Sequence, residues 1–168
     1  MRRIFILFLL LTAVPVRKLY GQENSSSSYP RKCFSETSRD SFEVEIKGLG
    51  SVLMHSMASA DTQDIGLFYY IIPDKARGKS NEKLARLAAG FQTETWKNNS
   101  RIVSSKQYDD GPVTIVDTRL HLLIEDIYLQ VIIICDGMMI FEIDSFRDTH
   151  DSVFFDRLLN KVRKKDCP

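Results

Sequence analysis

Little in this sequence is arranged as a reactive site. No Gly-rich phosphate loop, nucleophile elbow or HExxH-type helix occurs in its 168 residues, so the common nucleotide-binding, α/β-hydrolase and zinc-protease signatures are missing. Histidine is scarce. His55, His121 and His150 fall on separate segments with no second His or Cys at ligand spacing, whereas a zinc or iron site draws three or four such ligands together. No metal or other cofactor is expected. No internal repeat is evident, and no apolar stretch reaches the roughly 20 residues that a membrane-crossing helix needs. A basic face is lacking as well: the one dense cluster is Lys161, Arg163, Lys164 and Lys165, placed where the end of a helix favours positive charge. That argues against a nucleic-acid partner.

What is present begins with an export layout. Arg2 and Arg3 precede an apolar run from Ile4 to Val14, broken only by Thr12, and the chain turns polar from Gln22. Residues 1–21 are therefore expected to be a signal peptide cleaved after Gly21. Retention as an anchor is the alternative; it has to use the whole stretch to Tyr20 and tolerate Arg17 and Lys18 within it. Cleavage would remove Arg2, Arg3, Arg17 and Lys18 and no acid, taking the 23 basic groups to 19 against 22 acidic ones, a net charge of −3. Residues 22–33, with Ser25 to Ser28 and Pro30, read as a flexible leader without apolar periodicity. The protein is thus expected to be exported, periplasmic or secreted, with no stable membrane span after cleavage.

Three cysteines in an exported chain suggest one disulfide and one thiol. Cys33 and Cys167 bracket the folded part and are the expected pair. Such a bond would close almost the whole domain and stabilise it by roughly 4–5 kcal/mol if unstrained. Cys135 ends the apolar run Val131 to Ile134 and is expected to be a small buried residue. A catalytic thiol there would need a base, and no histidine lies near it in sequence.

Residues 34–168 read as one α+β domain. Phe42, Val44 and Ile46 alternate with Glu43, Glu45 and Lys47, the mark of a strand with one wet face, and Gly48-Leu49-Gly50 turns it into a partner over Val52 to Met57. Ile65 to Ile72 is a third strand, stopped by Pro73. The period then changes. Leu84, Leu87, Ala88 and Phe91 predict a helix from about Asn81 to Lys97, capped by Ser80 or Asn81. Four more strands follow over Ile102–Tyr108, Val113–Leu123, Ile127–Cys135 and Met138–Ile143, the last two joined at Asp136-Gly137, whose residue types suit the positive φ angles of a two-residue hairpin turn. Phe155, Leu158, Leu159 and Val162 form the stripe of a closing helix capped near Thr149 or Asp151. Strands joined by short turns must be antiparallel, so the expectation is an antiparallel sheet of six or seven strands with two covering helices.

In this order of elements the chain from Phe42 to Lys164 resembles the PsbP-like fold, named for an extrinsic subunit of the photosynthetic oxygen-evolving complex and shared by DcrB-like periplasmic proteins and a small Ran-binding nuclear import factor. The segments that carry the likeness are Ser41-Phe42-Glu43-Val44, the aromatic strand ending in Ile72-Pro73, Leu84-Ala85-Arg86-Leu87-Ala88, Met138-Met139-Ile140-Phe141 and Phe154-Phe155-Asp156-Arg157-Leu158-Leu159. The resemblance is one of layout. It implies an α/β/α sandwich and an accessory or assembly role, and it brings no catalytic or ligand-binding residues.

One polar constellation stands out. Asp117, Arg119 and His121 alternate along one strand and so share a face. Asp117 orienting His121, with Arg119 holding a negative charge, would make a small hydrolase or an anion-binding enzyme; cross-strand ion pairs on an exposed face are the plainer reading, since nothing supplies a nucleophile or oxyanion hole. Asp109 and Asp110 are read as turn residues in preference to a calcium loop, because the further spaced oxygens are missing. Phe68, Tyr69, Tyr70 and Trp96 are read as packing. Asn24 and Asn98 begin Asn-x-Ser sequons, which act as acceptors only on a eukaryotic secretory route. The leading functional expectation is an exported, non-catalytic accessory protein that binds a protein or a small ligand on its sheet or a helix face.

Overall fold

The computed structural model describes residues 38–57, 65–110, 113–137 and 139–164. The expected signal peptide, the leader, Cys33 and Cys167 lie outside the described residues.

Seven strands form one sheet: β1 (Ser38–Ile46), β2 (Gly50–Met57), β3 (Ile65–Ile71), β4 (Ser100–Asp110), β5 (Val113–Leu122), β6 (Ile127–Cys135) and β7 (Met139–Arg147). Their spatial order is β1-β2-β3-β7-β6-β5-β4, antiparallel throughout. The α1 helix (Asn81–Trp96) follows a short 3-10 turn at Asp74–Ala76, and α2 (Ser152–Arg163) closes the domain. Ser80 Oγ accepts from Lys83 N at 3.3 Å and Asp151 Oδ1 from Phe154 N at 2.8 Å, so each helix begins at a residue whose short oxygen can reach a free backbone donor.

The turns follow from residue chemistry. Gly48 and Gly50 take φ of 91° and 84°, where a side chain would be strained. Between β6 and β7, Cys135 pairs with Ile140, Asp136 N donates to Met139 O at 3.3 Å, and Gly137 takes φ 91°, the left-handed conformation that the turn residues led one to expect there. Asp136 also acts through its side chain, Oδ1 accepting from Met139 N at 2.9 Å.

Strand β6 explains the layering. Leu129, Val131, Ile133 and Cys135 belong to the core under α1, while Ile132 and Ile134 belong to the core under α2, so an unbroken apolar run fills both faces of one strand. Each such isoleucine stabilises the fold by roughly 1.5–3 kcal/mol. Helix α1 meets the sheet through Leu84 and the small Ala85, Ala88 and Ala89, which allow close approach; α2 uses Phe155, Leu158, Leu159 and Val162.

The connection that completes the sheet is β3 to β7, with Ile65 opposite Ser145 and Ile71 opposite Met139. It makes the last strand of the chain a central one and carries β7 on to Arg147, past the expected end at Ile143. No helix among the described residues is long and apolar enough to cross a membrane.

Candidate functional site

Two polar clusters lie between the sheet and its helices, one on each face.

Under α2, Asp117 and Arg119 come together as their spacing on β5 requires. Arg119 Nε and a terminal guanidinium nitrogen both lie 3.2 Å from Asp117 Oδ2, and the same terminal nitrogen reaches Asp156 on α2. Asp117 Oδ1 accepts from Gln130 Nε2 at 2.8 Å, and that amide also donates to Phe155 O at 3.1 Å. The guanidinium sits over the Phe155 ring, 5.5 Å from its centre. The face is therefore not open: Asp117 is 1 % exposed, and the cluster ties β5 and β6 to α2. Burial pushes the Asp117 carboxyl up from its ordinary value, and Gln130 and Arg119 counter it only in part. Burial also works against the Arg119 charge, but Asp156 and Asp117 outweigh it and keep the guanidinium protonated.

His121 is not brought to this pair. Its Nε2 lies 2.7 Å from Asp126 Oδ1, in a turn where Asp126 takes φ 53°, and its ring stacks on Tyr128 at 4.6 Å. The order Asp117–His121 that acid–base work would use is not formed. The other histidines are likewise apart: His55 Nδ1 meets Ser41 Oγ at 2.7 Å and stacks on Tyr69, and His150 is exposed beside Tyr128. Among the described residues no group of three or more His, Cys, Asp or Glu converges as a metal site. Asp109 accepts from Thr114 Oγ1 at 2.9 Å across the β4–β5 turn. Cys135 is fully buried, and burial pushes its thiol up to about 11, which leaves no thiolate at neutral pH.

The second cluster is one that sequence reasoning missed. Glu142 and Asp144 sit two residues apart on β7, both facing α1, at 0 % and 1 % exposure. Tyr70 on β3 donates its hydroxyl to Glu142 Oε2 and Gln92 on α1 donates to Oε1 at 2.7 Å, with Asp144 beside Glu142 on the same face of β7. Among the described residues Asp144 Oδ1 has no partner. Burial raises Glu142 to about 7 against the hydrogen bonds that lower it; burial and the neighbouring Glu142 raise Asp144 well above the carboxylate range. Burial first, and then Glu142, hold Tyr70 well above its ordinary value, so it stays a donor. The available signal was the alternation of Glu142 and Asp144 with Phe141 and Ile143, which puts two acids on one face of a strand.

The carboxyls of Asp117, Glu142 and Asp144 are buried. Two surface depressions, of about 330 and 390 Å³, are lined by Ser80, Glu82, Lys83, Arg86 and Leu87 and by Tyr108, Asp109, Ile115, Asn160, Arg163 and Lys164, and neither touches Asp117, Arg119, Glu142 or Asp144. No model of a protein family, no curated protein and no solved structure matches the chain.

Proposed function

We propose that the chain is an exported, non-catalytic accessory protein with PsbP-like layering, and that it docks a protein partner through an apolar corner of the sheet. The observation that carries this reading is where its exposed aliphatic side chains stand. Among the described residues, Ile102, Val103, Leu123, Ile124 and Val153 are the large hydrophobics left in water, at 54, 40, 56, 74 and 65 % exposure. Four of the five belong to neighbouring segments, the start of β4 and the residues just after β5: Ile102 pairs with Leu120, Ser100 with Leu122, and Leu123 N donates to Asn99 O at 2.7 Å. Single exposed aliphatics need no explanation, but a group of them suits a partner surface.

The residue types that suggest chemistry are meanwhile spent inside the molecule. Asp117 and Arg119 hold α2, so the reading of Asp117, Arg119 and His121 as a hydrolase or anion site has less support than docking. Export rests on Arg2, Arg3 and the apolar run after them; the accessory role rests on the layout shared with PsbP-like proteins.

The test is recovery of a partner from the exporting cell's secreted or envelope fraction with the tagged mature chain and with a Leu123→Glu, Ile124→Glu double variant. The variant should keep its far-ultraviolet circular dichroism and its melting midpoint while losing the protein that copurifies with the parent chain. Equal recovery by both forms would remove the corner from the account, and no partner with either would remove the accessory role.

A further inference from the structure

Independently of any docking role, we infer that Glu142 and Asp144 form a proton-operated latch beneath α1: the pair keeps at least one shared proton while α1 is seated on the sheet, and loss of protons as pH rises loosens that helix.

The geometry requires a proton. Two carboxyls stand side by side on one face of β7 at 0 and 1 % exposure, and like charges this close in a dry interior do not both ionise. Each wall of the pocket supplies a known group. From β3 come Tyr70, Phe68 opposite Glu142 and Gly66 opposite Asp144; from β6 come Ile133 and Val131 in the same register; from α1 comes Gln92. Tyr70 is the further titratable group acting on Glu142, and no lysine, arginine or histidine among the described residues acts on either carboxyl.

The proton belongs on Asp144. Glu142 receives donors from Tyr70 and Gln92 and is the first of the two to ionise, whereas Asp144 Oδ1 meets no donor among the described residues and, in the neutral acid, is a carbonyl oxygen, less costly to bury than a carboxylate. Both groups hold protons more tightly folded than unfolded. Stability from the pair is therefore complete below the ordinary carboxylate range, near pH 4, and is lost as pH climbs through about 7, where Glu142 ionises next to Asp144. The charge appears beneath α1, in a site at 0 % exposure, and lifting of that helix is what admits the water that would solvate it. Helix α2 lies on the opposite face and does not feel it directly.

Hydrogen exchange of the mature chain, read by mass spectrometry at several pH values and corrected for intrinsic rate, tests this. Between pH 5 and pH 8, α1 amides should lose about tenfold more protection than those of α2, and a Glu142→Gln, Asp144→Asn variant should abolish the difference. Equal losses in α1 and α2, or an unchanged difference in the variant, would overturn the latch. Should that variant not fold, carboxyl carbon NMR of the parent chain decides: a carboxyl proton retained above about pH 6 supports the pair, and two carboxyls both ionised below about pH 5 refute it.

Discussion

At the hydroxyl of Tyr70 the core closes a polar chain that runs from β3 through Glu142 to Gln92 on α1. Tyr70 is fully buried, so its ring packs as any aromatic would, while its O–H is one of the donors that let Glu142 carry charge at all. Tyr70→Phe keeps the ring and removes that donor. It should cost roughly 1.5–3 kcal/mol at pH 8, where Glu142 is ionised, and distinctly less at pH 5, as read from urea denaturation midpoints; a loss independent of pH would contradict the assignment. Cys135 gives the converse case, a reactive residue type made inert by its surroundings. With its thiol raised to about 11 and no exposed surface, it should resist iodoacetamide in the native chain and label only after denaturation. In the same non-reducing digest Cys33 and Cys167 should appear as one bonded peptide pair. Labelling of native Cys135 would contradict its burial.

The elements of the molecule divide into those written locally and one that is not. Alternation in Phe42, Val44 and Ile46 and helical spacing in Leu84, Leu87, Ala88 and Phe91 are short-range patterns, and β1 and α1 form where those patterns lie. Strand β7 is different. By chain order it ends a four-strand meander and would be an edge, with Glu142 and Asp144 free to face water. Its pairing with β3, about 75 residues earlier in the chain, makes it central and buries both acids, and no local pattern announces a contact of that range. The same distinction holds on β5. The spacing of Asp117, Arg119 and His121 put them on one face, but the cover that α2 lays over them and the turn at Asp126 that captures His121 come from elsewhere in the chain. Because Arg119 is the tie between β5 and α2, Arg119→Met should strand a buried Asp117 and cost roughly 3 kcal/mol. Asp156 is 60 % exposed, so Asp156→Asn should cost less than about 1 kcal/mol. Equal effects in thermal or urea unfolding would contradict the buried tie.

For the whole molecule, α1 and α2 bury the central strands on opposite faces, while the outer strands β1 and β4 keep exposed residues. The two edges, β1 and β4, are each interrupted by a register shift, and charged Glu43, Glu45, Arg101 and Lys106 stand along them, devices that discourage strand addition. The apolar corner of Ile102, Val103, Leu123 and Ile124 lies at the β4 register shift and offers side chains rather than a regular strand edge to a partner. Asn98, exposed in the turn just before β4, lies beside this corner. The most direct measurement is site-specific photo-cross-linking in the native cell, with the reactive group placed at Ile124 in the corner and, as a control, at Val153 on α2, which is comparably exposed at 65 %. The account predicts a discrete adduct of defined mass from position 124 and none from position 153. Adducts of equal yield from both positions, or none from 124, would contradict it.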